Sequence, residues 1–455
     1  MTLGTRRIVY SLFITAFIIL APLIILYTKG YRYNPKHQRL DFTGTLVVSS
    51  IPKGAAIILN GQSSKFTTPK TLQAVKPDVY SIKLSKNGYH DWEKHLPIRA
   101  GEALFISNIH LWRDDTPKKI FDITYQLAAP NREGSSLLLT SFGDKSEKIY
   151  LFDALSDSSP VLLTKIEVDA PFQEIIWSPN LERALFVGPQ ESAILDMYSP
   201  APVWLSVSSL APKKLLDFKW GDDSNVIYGR DDMFVYQIDP ATKSANAISS
   251  SAAAKSLEIL TDYMIQNNIL FELWRRPNNP SILRLVSLLD RRQLNQFNLP
   301  TNQTYKFSAQ NDDLIALKDS ENRMTLWRLT DQSLLPIIKT EGLTQSMFSE
   351  TTGDLLYATP FELWTYNPKT GAQNLLTRIA KTIKKVAWYP DGSHVAFVSD
   401  NAIYIIERDE RDIRNKWTLV QMDMLDYYFF SGNGKDIYII GAIDQKSGLW
   451  RLTIK

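Results

Sequence analysis

Residues 386–407 read "VAWYPDGSHVAFVSDNAIYIIE". One apolar run closes on Trp388. Pro390-Asp391-Gly392 then reverses the chain, because proline presets φ and glycine tolerates the left-handed region. Two further runs follow, "HVAFVS" and "AIYIIE". Both alternate and are rich in β-branched and aromatic residues, as half-buried strands require. The stretch reads as the first three strands of one small antiparallel sheet.

The Trp388 position recurs along the chain. It is Trp177 in "FQEIIWSPNLERALFVG", Trp220 in "LLDFKWGDDSNVIYGR", then Tyr263, Phe307, Phe348 and Phe429. A worn first copy, "YQLAAPNREGSSLLLTS", has Ala128 there, and successive spacings are 49, 43, 43, 44, 41, 40 and 41. A repeat of this length holding four short strands has the period of propeller blades. The aromatic fills space between neighbouring blades, and the fourth strand ("PVLLT", "AQNLLT", "WTLVQM") is outermost and more polar. The expected class is therefore all-β, with a β-propeller over 117–455. It has eight blades, or seven if the worn copy is discounted. Near-constant spacing argues against a β-solenoid or unrelated β-sandwiches. The last copy stops after its third strand, at "GLWRLTIK". A ring must close or leave sheet edges bare. "TPKKIFD" at 116–122 resembles the outer strand "APKKLLD" at 211–217, so 117–121 is expected to pair antiparallel with 449–454.

Upstream, residues 44–111 show alternating strands, with turns at Asn60-Gly61 and Asn87-Gly88 and no helical period. They form a separate β-domain. Ile8–Tyr27 holds no charge over 20 residues, enough for a helix to cross ~30 Å of hydrocarbon. Tyr10 and Tyr27 mark its ends, and Pro22 is tolerable in lipid. The run exceeds a signal-peptide core, and "LYTKGYRYNP" offers no small-x-small site. An uncleaved anchor at 8–27 is expected, after a short N-terminus (1–7) and before a stem (28–43). Arg6 and Arg7 precede it; Lys29, Arg32, Lys36 and Arg39 follow. By local counting the positive-inside rule is close to a tie.

The 455 residues contain no cysteine, which removes disulfides, thiolate metal sites and cysteine nucleophiles. Net charge is +3 but unevenly spread: residues 1–111 carry 14 Lys+Arg against 5 Asp+Glu, leaving 37 against 43 in the remainder. An acidic remainder lacks the basic field that nucleic acid requires, so no nucleic-acid partner is expected. The basic end sits beside the apolar segment, where membrane lipid is the simpler partner.

Pro52-Lys53-Gly54-Ala55, flanked by "GTLVVSSIP" and "AAIILNG" and followed by "VKPDVYSIKLSKNGYHDW", resembles the PEGA domain family over 44–111. One departure is Asp78, where the family usually carries glycine. Trp177-Ser178-Pro179-Asn180 and Trp388-Tyr389-Pro390-Asp391-Gly392 resemble the Trp-Ser-Pro-Asp-Gly motif of TolB-like propellers, a structural motif that carries no activity. The PEGA resemblance implies a bacterial cell-envelope protein, with a cytoplasmic N-terminus and an extracytoplasmic body.

No catalytic, metal or cofactor motif is present. His90 and His95 fall on opposite faces of a strand-like stretch, while His37, His110 and His394 are isolated in sequence. There is no Gly-x-Ser-x-Gly elbow, P-loop or dinucleotide fingerprint. The loop "LWRRPNNPS", 273–281, carries Trp274, Arg275 and Arg276, residue types enriched at binding hot spots. These three are the candidate partner-binding residues, against the plainer reading of blade packing for the tryptophan. The expected function is a membrane-anchored extracytoplasmic binding or scaffold protein presenting both modules to an envelope protein, glycan or cell-wall partner. The alternative is a glycosidase or other hydrolase with carboxylates in the propeller tunnel.

Overall fold

The computed structural model describes residues 3–28, 30–34, 39–122, 124–156, 158–197, 203–211, 213–249 and 258–455. They form two compact units. The first comprises Met1–Asp115, Glu407–Trp417 and Thr453–Lys455; the second comprises Thr116–Ile406 and Thr418–Leu452.

The first unit opens with α1 (Leu3–Thr28), which contains Pro22 and exposes its apolar side chains all round. Thr5–Thr28 is long and apolar enough to cross a membrane. The stem then folds back as a hairpin of β1 (Tyr31–Asn34) and β2 (Arg39–Phe42). Beyond it lie two sheets. Gly44–Ile51 runs between Lys70–Val75 and, in parallel, Ala103–His110. The other has the order Gln62–Thr67, Ala56–Leu59, Asp78–Ser85, Trp92–Ile98. Period-2 alternation sends Leu46, Val48, Ile57, Ile82, Leu84, Trp92, Leu96 and Ile98 into a common core. Asn60 and Gly61 take φ of 49° and 77°, the signs a two-residue hairpin turn needs.

The second unit contains eight four-stranded sheets among the described residues, numbered here first to eighth from Leu127 onward. Each buries apolar side chains against the next. Leu138 of the first sheet packs with Phe186 of the second, Leu185 with Tyr236 of the third, and Tyr228 with Tyr263 of the fourth. The series continues through Leu283 with Ile315, Leu326 with Tyr357, and Leu356 with Phe397. Tyr389 of the seventh sheet donates its hydroxyl to Gly434 O of the eighth at 2.9 Å.

The ring closes with the upstream strand that the incomplete last repeat called for. Lys118–Phe121 pairs antiparallel with Leu449–Arg451, completing the eighth sheet, with a bulge between Lys119 and Phe121. Pro117 lies just outside the strand. Eighth and first sheets then share a core in which Phe152 and Tyr438 meet edge to face at 5.0 Å. At the inner rim, Gly432 N donates to Gly134 O at 3.3 Å. Gly134 has φ +63°, and a Cβ there would lie 2.3 Å from Phe430 O, so only glycine fits the approach.

The repeating indoles tie inner strands together. Trp177 Nε1 donates to Ala129 O at 2.9 Å, Trp220 Nε1 to Ile176 O at 2.9 Å, and Trp388 Nε1 to Met347 O at 3.4 Å. After Trp177, Phe348 and Trp388 the same turn begins: Ser178 N to Arg183 O, Ser349 N to Asp354 O, Tyr389 N to His394 O. By that turn the first and eighth copies align on Pro130 and Phe430, correcting the sequence alignment on Ala128 and Phe429. The reason in the eighth is that two aromatics, Phe429 and Phe430, stand side by side ahead of the turn; in the first, no aromatic marks the place. Tyr263 and Phe307 do not end their strands either. Those strands continue to Gln266 and Asn311, which close on two-residue turns.

Candidate functional site

Inner strands of the sixth, seventh and eighth sheets, with the turn of the first, enclose a cavity of about 700 Å³. Its apolar wall includes Phe348, Trp388 and Tyr427, and Gln345 and Lys385 add polar groups. Strand Ile383–Trp388 presents Lys385 against the eighth sheet, with Nζ 3.1 Å from the Tyr427 ring centroid. Tyrosine faces attract cations, but a ring does not neutralise the charge. Among the described residues no carboxylate pairs with this ammonium, and burial pulls its pKa down to about 8. The next residue, Tyr428, also borders the cavity, and its buried hydroxyl has no hydrogen-bond partner among the described residues. Unpaired buried polar groups are costly and rare.

Lys219, on the inner strand of the third sheet, provides the contrast. Its ammonium lies 3.4 Å from Asp262 Oδ1 and also donates to Tyr263 O. Asp262 in turn accepts from Phe307 N at 2.8 Å and Tyr263 N at 2.8 Å. That lysine is fully accommodated by the protein; Lys385 is not.

A second, polar cavity of about 780 Å³ is lined by residues of the first and second sheets, including Asp144, Lys165, Glu167 and Glu191. Glu147 lies next to it in sequence, and burial raises its pKa, yet it is fully buried, with Oε2 accepting from Phe172 N at 2.9 Å. A substrate cannot touch it, so it does not supply the accessible acid a hydrolase would need.

The first unit contains a buried ion pair whose lysine alternation alone could have flagged. Trp92, Lys94, Leu96 and Ile98 share the inward face of one strand, and Lys94 is fully buried among them. Its Nζ lies 2.9 Å from Glu407 Oε1 and donates to Asp409 O at 2.8 Å. Glu407 also accepts from Trp92 Nε1 at 2.9 Å, Asn415 N at 2.7 Å and Asn415 Nδ2 at 2.9 Å. Trp417 Nε1 donates to Asp91 O at 2.9 Å. This satisfied network fastens segment 407–417 to the β-sandwich.

Trp274 is 1% exposed and sits in the core between the third and fourth sheets. Its Nε1 donates to Glu272 Oε2 at 3.0 Å, and the Arg284 guanidinium lies 5.0 Å from its ring centroid. It is the penultimate residue of strand Ile269–Arg275, which is buried on both faces from Leu270 to Trp274, so it presents nothing to a partner: the blade-packing reading holds and the partner-binding expectation for this residue is corrected. Arg275 is exposed, whereas Arg276 is held by Pro280 O at 2.7 Å and Asn298 Oδ1 at 2.8 Å. His90 and His95 face Asp114 and Asp412 separately, at 3.9 Å and 3.3 Å. His110 stacks on Trp112 and His394 contacts Ser393, while His37 lies outside the described residues. No group of three His, Asp or Glu suited to a metal occurs among the described residues.

Residues 43–110 match the PEGA domain family. Among solved structures, the chain is similar to the C-terminal WD40 domain of Sif2 (10% identity, TM-score 0.52, 74% of this chain and 98% of that one). It is also similar to the Dos1 propeller (10% identity, TM-score 0.51, 76% and 96%). A third is dipeptidyl peptidase 4 of Porphyromonas gingivalis (12% identity, TM-score 0.50, 74% and 60%). At such identities the likeness is one of fold, and that fold is the β-propeller. No curated protein sequence matches the chain.

Proposed function

We propose that the protein is a membrane-tethered binding module of the bacterial cell envelope. In this reading α1 is the single-pass anchor, the N-terminus is cytoplasmic, and the PEGA domain and propeller are extracytoplasmic. The charge-free run Ile8–Tyr27 and the PEGA match support the tether. The propeller cavity is the binding site. Its ligand carries an anionic group, a carboxylate or phosphate, on an apolar body. One observation carries this: a half-buried ammonium, Lys385, stands in an aromatic-walled cavity with no described counter-charge. An anion there would restore the paired state that Asp262 gives Lys219. The apolar body would lie against Phe348 and Trp388, and the Tyr428 hydroxyl would gain an acceptor.

Full-length protein titrated with phenylacetate, phenyl phosphate and neutral phenylacetamide tests the reading, with Trp388 contributing to the fluorescence signal. The anions should bind and the amide should not. Lys385→Gln should abolish anion binding while leaving the fold's circular dichroism unchanged. Equal binding of anion and amide, or an unaffected Lys385→Gln variant, would overturn it.

A further inference from the structure

We propose that hairpin β1–β2 is a membrane-interface element whose apolar face lies at the headgroup–acyl boundary of the bilayer. This rests on the reading that α1 crosses that bilayer. The register pairs Tyr31 with Phe42, Arg32 with Asp41, and Tyr33 with Leu40. Residues two apart share a face of a strand. One face therefore carries Tyr31, Tyr33, Leu40 and Phe42, and the other carries Arg32 and Asp41. Tyr31 and Phe42 stack at 4.7 Å between centroids. Tyr33, Leu40 and Phe42 are 63%, 51% and 41% exposed, so the sandwich leaves much of this face uncovered. A two-stranded hairpin on its own is marginal in water; a surface that takes up its apolar face would stabilise it.

The occupant follows from where the hairpin starts. Arg32 reaches back to the last turn of α1: its guanidinium stands 3.7 Å from the Tyr27 ring centroid, and Nη1 donates to Tyr27 O at 2.6 Å. Gly30 N also donates to Tyr27 O, at 3.2 Å, and Thr43 N closes the hairpin base onto Gly30 O at 3.0 Å. Tyr27 ends the charge-free run. In a spanning helix it marks the level where hydrocarbon meets headgroups, a zone of roughly 5–8 Å on each side. The hairpin is thus fastened at that level by contacts as well as by chain connectivity. Aromatic rings beside a guanidinium suit this layer, where rings meet acyl carbonyls and the cation meets phosphate.

Because the chain has no cysteine, a single introduced thiol carries one environment-sensitive fluorophore. Four full-length variants are reconstituted in phosphatidylcholine vesicles, with and without phosphatidylglycerol: Phe17→Cys in α1, Tyr33→Cys on the apolar face, Asp41→Cys on the polar face, and Asn87→Cys in an exposed turn. Nitroxide lipids place quenchers near the headgroup or deep in the acyl chains. The Phe17 reporter should be quenched best by the deep nitroxide. The Tyr33 reporter should be blue-shifted and quenched best by the shallow one, more strongly than Asp41, and Asn87 by neither. A quenched Phe17 reporter with Tyr33 behaving like Asn87, or like Asp41, overturns the hairpin proposal alone. A Tyr33 reporter that is blue-shifted but unquenched, in proportion to protein density, assigns the face to a second copy and also overturns it. An unquenched Phe17 reporter removes the spanning reading, and the hairpin proposal falls with it.

Discussion

Replacing Lys94 by methionine keeps the length of the buried stem and deletes one charge from a site without solvent. Glu407 then loses its 2.9 Å partner and Asp409 O loses its donor. Breaking a buried pair from one side costs about 3–5 kcal/mol, because the remaining charge stays desolvated. Three other hydrogen bonds remain on Glu407, from Trp92 and Asn415, which places the cost at the low end. About 3 kcal/mol corresponds to a factor of about 150 in the opening equilibrium of segment 407–417. A chain of two units is a poor subject for one melting temperature, so the opening is better read locally. Arg408, Arg411 and Arg414 lie within the segment. At low trypsin concentration, native-state cleavage follows the open population, and should rise by about that factor in Lys94→Met. The double variant Lys94→Met/Glu407→Leu should open less than either single variant, since no unpaired charge is left. Wild-type cleavage in Lys94→Met, or a double variant equal to the sum of the singles, would refute the reasoning.

Gly134→Ala should weaken ring closure by about 2–3 kcal/mol, combining a left-handed φ with contact against Phe430 O; hydrogen exchange in Ser136–Gly143 and Met424–Phe430 should speed up, and unchanged protection would contradict it. Trp274→Ala should cost about 3–5 kcal/mol as a core truncation, seen in denaturant unfolding of the second unit rather than in loss of a partner. Burial raises the Glu272 pKa to about 7, so between its unfolded value near 4.5 and 7 the folded state holds more proton than the unfolded. Stability should therefore fall as pH rises through that window, by up to about 3 kcal/mol, and Glu272→Gln should flatten the slope. Lys385 must be charged to hold an anion, so phenylacetate affinity should fall as pH rises through about 8; a pH-independent affinity between 7 and 9 would count against the site.

The ring was legible because most sheets repeat the same local chemistry, an aromatic followed by a polar turn, at near-constant spacing, and because "PKKIF" looks like an outer strand lacking a sheet. Its fine register was not, since adjacent Phe429 and Phe430 offer two choices for the pre-turn position and only the pairing of Phe430 with Ile437 decides between them. For Trp274 the sequence left partner binding and blade packing both open. It stands beside a Pro-rich loop, yet strand Ile269–Arg275 continues through it and is buried on both faces, which selects blade packing. Lys94 was readable as inward-facing from Trp92, Leu96 and Ile98, but its counter-charge arrives 315 residues after Trp92 and only the fold brings it there. The cavity was beyond sequence reading altogether. Phe348, Lys385, Trp388 and Tyr427 come from three sheets, and what distinguishes Lys385 is the missing carboxylate, a property of space rather than spacing.

The closing strand also orders events in time. A ribosome delivers Lys118–Phe121 early and its partner Leu449–Arg451 more than 300 residues later, an interval of roughly 20–60 s at ordinary elongation rates. Within it, seven sheets can assemble while the eighth still lacks the strand on which its outer one pairs. A messenger cut short anywhere before codon 449 yields a product with two bare sheet edges, the features that mark a chain for pairing with its neighbours or for proteolysis. Completion of the propeller is thus inspected by the architecture itself: the first strand of the unit finds its place only when the unit's last strand has been made.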